Sequence, residues 1–201
     1  MTTGIALSAS GNVLLATFFG LFAYAHLQSF LEVARASVLL IIAKELIDAC
    51  FFLIRRRPVD FSLSPYAWTT ALAGTGCSLL LRPSDVSHDL LLGQVIQWSG
   101  LLLQILGMLS LNRSIGMVPA NRGIKTTGLY RWVRHPLYSS YAIAQIGYLI
   151  NNFSFHNAAV VILSICFQIL RLFNEERFLC EDPAYVQFMK NTRWRLFPYI
   201  L

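Results

Sequence analysis

Apolar residues come in long blocks separated by short polar breaks. Blocks at 11–31, 36–54, 66–81 and 90–111 approach the length that crosses ~30 Å of hydrocarbon, about 20 residues of helix. Two more, 136–150 and 155–173, flank Asn151-Asn152-Phe153-Ser154, whose turn-forming residues join them as a helical hairpin. The pattern predicts an all-α, polytopic transmembrane protein of about six spans with both termini on one side. The block 136–150 makes only about 22 Å of helix at ~1.5 Å per residue, so its N-terminal end is expected below the membrane surface. Irregular backbone at that depth is tolerated where it is buried in protein or lines a wet cavity. The longest polar segment, 112–135, carries Gly116, Pro119, Gly123 and Gly128. It is expected to fold over a cavity formed by the last spans.

Composition agrees with this pattern. Of 201 residues, 56% are hydrophobic and 13% charged, against about 45–50% and roughly 25% in soluble domains. Mean hydropathy is +0.56. The chain reads as a single integral membrane domain, 1–201. A net charge of +6 would suggest nucleic acid in a soluble protein, but the six-span arrangement accounts for it without such a partner. It puts 13 of the 16 Lys and Arg on one face: Arg55, Arg56, Arg57 and all those from Arg113 onward. Arg35 and Arg82 fall on the other face and Lys44 within a span. That excess marks the cytoplasmic side and places both termini there. No Lys or Arg precedes Arg35, so the first block lacks the basic flank of a cleaved signal and is expected to be retained as a span. Cys50, Cys77, Cys166 and Cys180 are scattered, without a C-x-x-C pair, and suggest neither a disulfide framework nor a metal site. Gly74-Thr75-Gly76 lies within an apolar block and is expected to serve close helix packing.

Two polar clusters interrupt the blocks: Gly128-Leu129-Tyr130-Arg131-Trp132-Val133-Arg134-His135-Pro136-Leu137-Tyr138, and Arg171-Leu172-Phe173-Asn174-Glu175-Glu176. Titratable groups at the edge of lipid are costly and mark functional sites. In the first cluster Pro136 suits the first turn of a helix, where free N–H groups and the positive dipole end favour an anion. Arg134 adds a fixed fork of donors. His135 and Tyr138, three apart, share one face of the turn. A second reading also fits these residue types: Arg131 and Arg134 as basic flanks, and Tyr130, Trp132 and Tyr138 as an interfacial aromatic belt. In the second cluster Arg171 and Glu175 share a helical face. As a stabilising pair they are poorly built, because Arg before Glu is the weaker order and carboxylates near a helix C-terminus oppose the dipole. Lys44 and Asp48, four apart in the second block, are placed to pair, with Glu45 beside them; contact with a substrate head group is the alternative.

At these clusters the chain resembles the isoprenylcysteine carboxyl methyltransferase and phospholipid methyltransferase superfamily. The family pattern G-x-Y-x-x-x-R-H-P-x-Y is met by Gly128, Tyr130, Arg134, His135, Pro136 and Tyr138. A following R-x-x-x-E-E-x-x-L is met by Arg171, Glu175, Glu176 and Leu179. Tyr185 and Phe188 fill a Y-x-x-Y slot, and Arg195 with Pro198 a terminal R-x-x-P. The departures are Ser140 for a common Gly, Asp182-Pro183 for Gly-Asp or Gly-Glu, and Phe188 for Tyr. The resemblance covers about 90–201. It implies a methyltransferase-like catalytic core there, behind N-terminal spans in 1–89.

It further implies an integral membrane enzyme that binds S-adenosylmethionine in a cytoplasmic pocket formed by the last spans and the C-terminal tail. The acceptor is then a lipophilic small molecule or lipid-modified molecule that enters from the bilayer. Under that reading Tyr130, Arg134, His135, Pro136, Tyr138, Glu175 and Glu176 bind the cofactor. Arg171 orients the acceptor, and Glu176 acts as base if the acceptor is an amine; no metal is expected. The rival acceptor is a phospholipid or other amine. More distant readings are a sterol-reductase-like NADPH enzyme, against which Pro136 stands where that class has Asn, and a non-catalytic membrane subunit, which leaves Arg171, Glu175 and Glu176 without a purpose.

Overall fold

The structure, a computed structural model, describes residues 2–56, 58, 60–84 and 88–200, with the side chains of 2–10 and 33 outside that description. Arg57, counted above in the basic flank, lies outside the described residues. Seven α-helices occur among the described residues: α1 (Thr2–Val33), α2 (Ala36–Ile54), α3 (Pro65–Ser78), α4 (Leu91–Leu111), α5 (Pro136–Asn151), α6 (Phe155–Leu179) and α7 (Pro183–Asn191). The starts follow local chemistry. Proline opens α3, α5 and α7 at the first turn. Ser154 caps α6 by accepting from the Asn157 N–H, and Asp182 caps α7 by accepting from the Ala184 N–H.

Among the described residues three helices are long and apolar enough to cross a membrane: Gly11–Glu32, Leu91–Ser114 and Phe155–Leu179. Their outward faces carry exposed leucine and isoleucine, including Leu14, Leu21, Leu109 and Ile162. Apolar surface on that scale belongs against lipid, and the protein is an integral membrane protein. Helices also form at the other three predicted blocks, but they differ in kind. The 19 residues of α2 include Lys44, Glu45 and Asp48. With 14 and 16 residues, α3 and α5 reach only about 21 and 24 Å at ~1.5 Å per residue.

The helices pack as three antiparallel pairs: α1 with α2, α3 with α6, and α4 with α5. Phe19 of α1 stacks on Phe52 of α2 with ring centroids 5.4 Å apart. Between α4 and α5 the backbones nearly touch. A Cβ on Gly100 would lie 2.5 Å from the Ala144 nitrogen, and one on Gly107 2.8 Å from the Leu137 side chain. Gly93 meets Asn151 in the same way. These glycines recur every seven residues, two helical turns, so they line one face. Gly74 of α3 lies against Phe167 and Gln168 of α6, whereas Gly76 faces open space.

The predicted hairpin of the last two spans is therefore a hairpin in connection only. The turn at 151–154 joins α5 to α6, yet α5 packs mainly on α4 and α6 mainly on α3. The glycine face is the reason, since it offers α5 a closer partner than the bulkier surface of α6.

Two polar ends result. At one, Arg35 of the α1–α2 turn reaches Asp89, the Ser84 carbonyl and the Asn151 carbonyl. At the other, β1 (Asp60–Phe61) pairs antiparallel with β2 (Ala120–Asn121), and the segment 112–135 folds back over the helix ends.

Candidate active site

At that second end a cavity opens between α2, α3, α5, α6, α7 and the segment 112–135. Of the residues singled out from sequence, Tyr130, Arg134, His135, Tyr138, Arg171 and Glu175 line it. Pro136 and Glu176 lie behind that lining.

The entry to α5 is held by main chain. His135 donates its N–H to the Arg195 carbonyl at 2.8 Å, and Arg134 donates to the Trp194 carbonyl at 2.8 Å. Ser139 Oγ donates to the Leu196 carbonyl at 2.6 Å. The segment 194–196 is thus zipped along 133–139. Glu176 fastens the join from α6. Its Oε1 sits 3.2 Å from both His135 Nε2 and Arg134 Nε, and its Oε2 accepts from Arg195 Nε at 2.9 Å. The Arg134 contact satisfies the ion-pair distance but not hydrogen-bond angles, so Arg134 Nε keeps no true acceptor. Glu176 is 5% exposed, and both its oxygens are engaged.

The cavity wall is aromatic on one side. The His135 and Tyr138 rings lie 5.6 Å apart, and Tyr138 meets Tyr141 edge-on at 6.4 Å. Tyr138 donates its hydroxyl to Glu175 Oε2 at 2.7 Å. The Arg171 guanidinium stands over the Tyr138 ring at 5.3 Å. Arg171 donates to the Gly116 carbonyl at 2.9 Å and, at a longer 3.4 Å, to Thr75 Oγ1. Its Nε is sealed from solvent without an acceptor. Among the described residues no carboxylate lies within ion-pair distance of Arg171; the i,i+4 neighbour Glu175 turns to Tyr138 instead. Tyr185, 3% exposed on α7, also faces the cavity with an unpartnered hydroxyl.

Several lining residues carried no mark in the sequence. Arg122 and Lys125 reach the mouth from the polar segment. Desolvation, reinforced by the nearby Arg55 charge and partly offset by Glu175, pushes the Arg122 guanidinium down to about 10. Lys44 and Asp48 pair at 3.0 Å and also line the cavity, so the two readings of that pair coincide in one place. Asp48 additionally accepts from Gln104 Nε2 at 2.8 Å. Glu45 points elsewhere, to His26 Nδ1 of α1 at 3.1 Å. The other imidazole nitrogen of His26 lies 3.3 Å from the Leu81 carbonyl. A signal for that pair was present: a histidine in one apolar block and a glutamate in the next.

The lining therefore offers an unpaired guanidinium, a carboxylate, an aromatic wall and a phenol without a partner. That set fits a zwitterionic donor carrying a cation beside an anionic acceptor. The cation finds aromatic faces, and the orphaned Arg171 Nε and Tyr185 hydroxyl lack partners that a ligand would supply. No curated protein and no solved structure matches the chain. Residues 89–187, about half of it, match the model of the isoprenylcysteine carboxyl methyltransferase (ICMT) family.

Proposed function

Residues 89–187 belong to the isoprenylcysteine carboxyl methyltransferase family, and from that premise we propose an S-adenosylmethionine-dependent, multi-pass methyltransferase that esterifies a carboxylate on a lipophilic acceptor. The N-terminal helices wall the cavity and 90–201 form the catalytic core. The active site and both termini face the cytoplasm, where the basic residues gather.

The observation that carries the acceptor class is Arg171, which lines the cavity with its Nε unpaired and, among the described residues, no carboxylate within ion-pair distance. A planar fork of this kind holds a carboxylate. A carboxylate is already ionised at neutral pH and needs no base. An amine must lose a proton first, and the three nearby carboxylates are occupied: Glu176 by His135, Arg134 and Arg195, Glu175 by Tyr138, and Asp48 by Lys44 and Gln104. Charge supports the same choice. With Lys44 paired to Asp48 and Arg134 to Glu176, the lining keeps Arg122, Lys125 and Arg171 against Glu175 alone.

When bound, S-adenosylmethionine supplies an electrophilic methyl on a sulfonium sulfur. The chain's own residues bind, orient and keep water out. Glu175 meets an ammonium or ribose hydroxyl, and the faces of Tyr138 and Tyr130 shelter positive charge. Arg134, His135 and the first turn at Pro136 hold the amino-acid end. Arg171, fixed by the Gly116 carbonyl and the Tyr138 ring, aims the acceptor oxygen for in-line attack. In this reading Glu176 positions Arg134, His135 and Arg195 and takes no part in proton transfer.

The test is transfer of labelled methyl by detergent-purified protein to S-farnesylcysteine and, separately, to phosphatidylethanolamine. Label that base releases as methanol from the cysteine derivative is expected. Base-stable label on the amine would move the reading to N-methylation. A folded protein that binds no S-adenosylmethionine by calorimetry would end it.

A further inference from the structure

A second, smaller chamber lies between α2, α4 and α5. It adjoins the main cavity, with Lys44, Ser78, Tyr141 and Gln145 lining both. Much of its wall is aliphatic, including Leu40, Ile41 and Leu101. Three glutamines break that wall: Gln97, Gln104 and Gln145, each less than a tenth exposed. Their amide nitrogens are already committed. Gln97 Nε2 donates to the Ser37 carbonyl at 2.9 Å, Gln104 Nε2 to the Asp48 carboxylate at 2.8 Å and Gln145 Nε2 to Ser164 Oγ at 3.0 Å. Carbonyl and carboxylate partners fix which end of the Gln97 and Gln104 amides is nitrogen. All three amide oxygens are left without a donor, and the hydroxyl of Tyr148, itself 1% exposed, has no partner either. Buried polar atoms are nearly always paired. Gln97 Oε1, Gln104 Oε1 and the Tyr148 hydroxyl, three orphans around one small chamber, are no solution to packing; they are a request for a polar ligand.

We propose that this chamber is a specificity pocket for a hydroxyl carried on the chain of the lipophilic acceptor. Two orphaned carbonyl oxygens of fixed orientation, those of Gln97 and Gln104, call for O–H or N–H. In so apolar a wall a neutral hydroxyl is far cheaper to bury than an ammonium. The aliphatic surface takes the methylenes on either side. The route from the main cavity is marked on α6 and α5. Arg171 and Gln168, one turn apart, both line the main cavity. Gln168 Nε2 donates to Ser164 Oγ at 3.0 Å, and Ser164 in turn accepts from Gln145. From Arg171 to Ser164 is about 10 Å along the helix at ~1.5 Å per residue. A chain whose carboxylate meets Arg171 thus reaches the chamber with its middle carbons. This deepens the carboxylate reading and rests on it for the position of the hydroxyl.

The experiment measures binding of stearate and of hydroxystearates, with the hydroxyl moved stepwise along the chain, to the purified protein loaded with S-adenosylmethionine. Octadecanol and octadecanediols with the second hydroxyl at the same positions form a parallel series that needs no carboxylate contact. One mid-chain isomer is expected to bind about tenfold tighter than stearate, the worth of a buried hydrogen bond. Gln97→Met should erase that preference, and Tyr148→Phe, which removes only an unpaired hydroxyl and so spares folding, should reduce it. A preference among the diols with no binding of any acid would leave the chamber standing and remove the carboxylate reading. No preference in either series, or a preference that both variants retain, overturns the proposal: the chamber then holds water alone.

Discussion

Arg35 and Arg171 are both arginines drawn into the interior, one at each end of the helix bundle, and the protein treats them differently. Arg35 is 3% exposed. Its Nε and Nη2 clasp Asp89 at 3.0 and 2.6 Å, and the remaining donors reach the carbonyls of Ser84 and Asn151 at 2.9 and 2.6 Å. Asp89 is filled in turn by the N–H and hydroxyl of Ser37, both at 2.7 Å. That arrangement closes four chain segments with matched charge and nearly complete hydrogen bonding. Among the described residues Arg171 has no carboxylate, one good carbonyl, one long hydroxyl contact, and an orphaned Nε beside a cavity. A satisfied arginine holds a fold together, whereas an unsatisfied one waits for a ligand.

The sharpest way to break this contrast is to remove each arginine in turn. Arg35→Met leaves Asp89 buried without its counter-charge and is expected to cost about 3–5 kcal/mol of stability, read as a drop in thermal midpoint in detergent. If Arg35→Met instead kept its midpoint and lost methyl transfer, the contrast would be false. Arg171→Lys is expected to lower the transfer rate by about a hundredfold or more through lost bidentate aim, with the midpoint unchanged. Glu175→Gln turns a charged acceptor for Tyr138 into a neutral one. Calorimetry should show S-adenosylmethionine binding weakened about tenfold, and a stability loss without a binding loss would return Glu175 to the structural class.

The smallest effect is acid sensitivity. Burial pushes the Asp89 carboxyl up, but hydrogen bonds from the Ser37 N–H and hydroxyl, and the Arg35 guanidinium beside it, outweigh that and hold it below the usual range. A depressed carboxylate stabilises the fold above its unfolded value of about 3.9. The contribution is lost as pH falls through the lower, folded value. Stability should therefore be flat in this respect from about pH 7 to 5 and decline below about 4. A decline already complete at about pH 5 would mean that some other group governs it.

The helical blocks were legible because an apolar run of lipid length seldom serves anything but a membrane span. The end of α6 was not. The helix runs on to Leu179, so Asn174, Glu175 and Glu176 belong to its last turns, where polar residues hid the continuation. No apolar run announces α7, a nine-residue amphipathic helix. The segment 112–135 was legible as a cover for the cavity, and the aromatic and basic residues around His135 were legible as its wall. The docking of 194–196 was not, because it is made largely of main-chain N–H and C=O groups that leave no trace in side-chain identity. The same holds for Arg171: spacing places it beside Glu175, and only the fold reveals that Tyr138 takes the carboxylate first. The glycines at 93, 100 and 107 were visible but weak one by one; their meaning lies in the shared period and in a partner helix whose identity is a tertiary fact.

If the proposed lipophilic acceptor enters from the bilayer, those three glycines limit where. A greasy molecule leaving the bilayer sideways must push neighbouring helices apart by roughly its own width. The α4–α5 seam is stitched by close contact at three levels, from Gly93 to Gly107, and opening it anywhere strips contacts along its length. That pair behaves as a fixed doorpost. A looser seam lies between the pairs, where α5 and α6 are joined by a short turn but pack mainly on different partners.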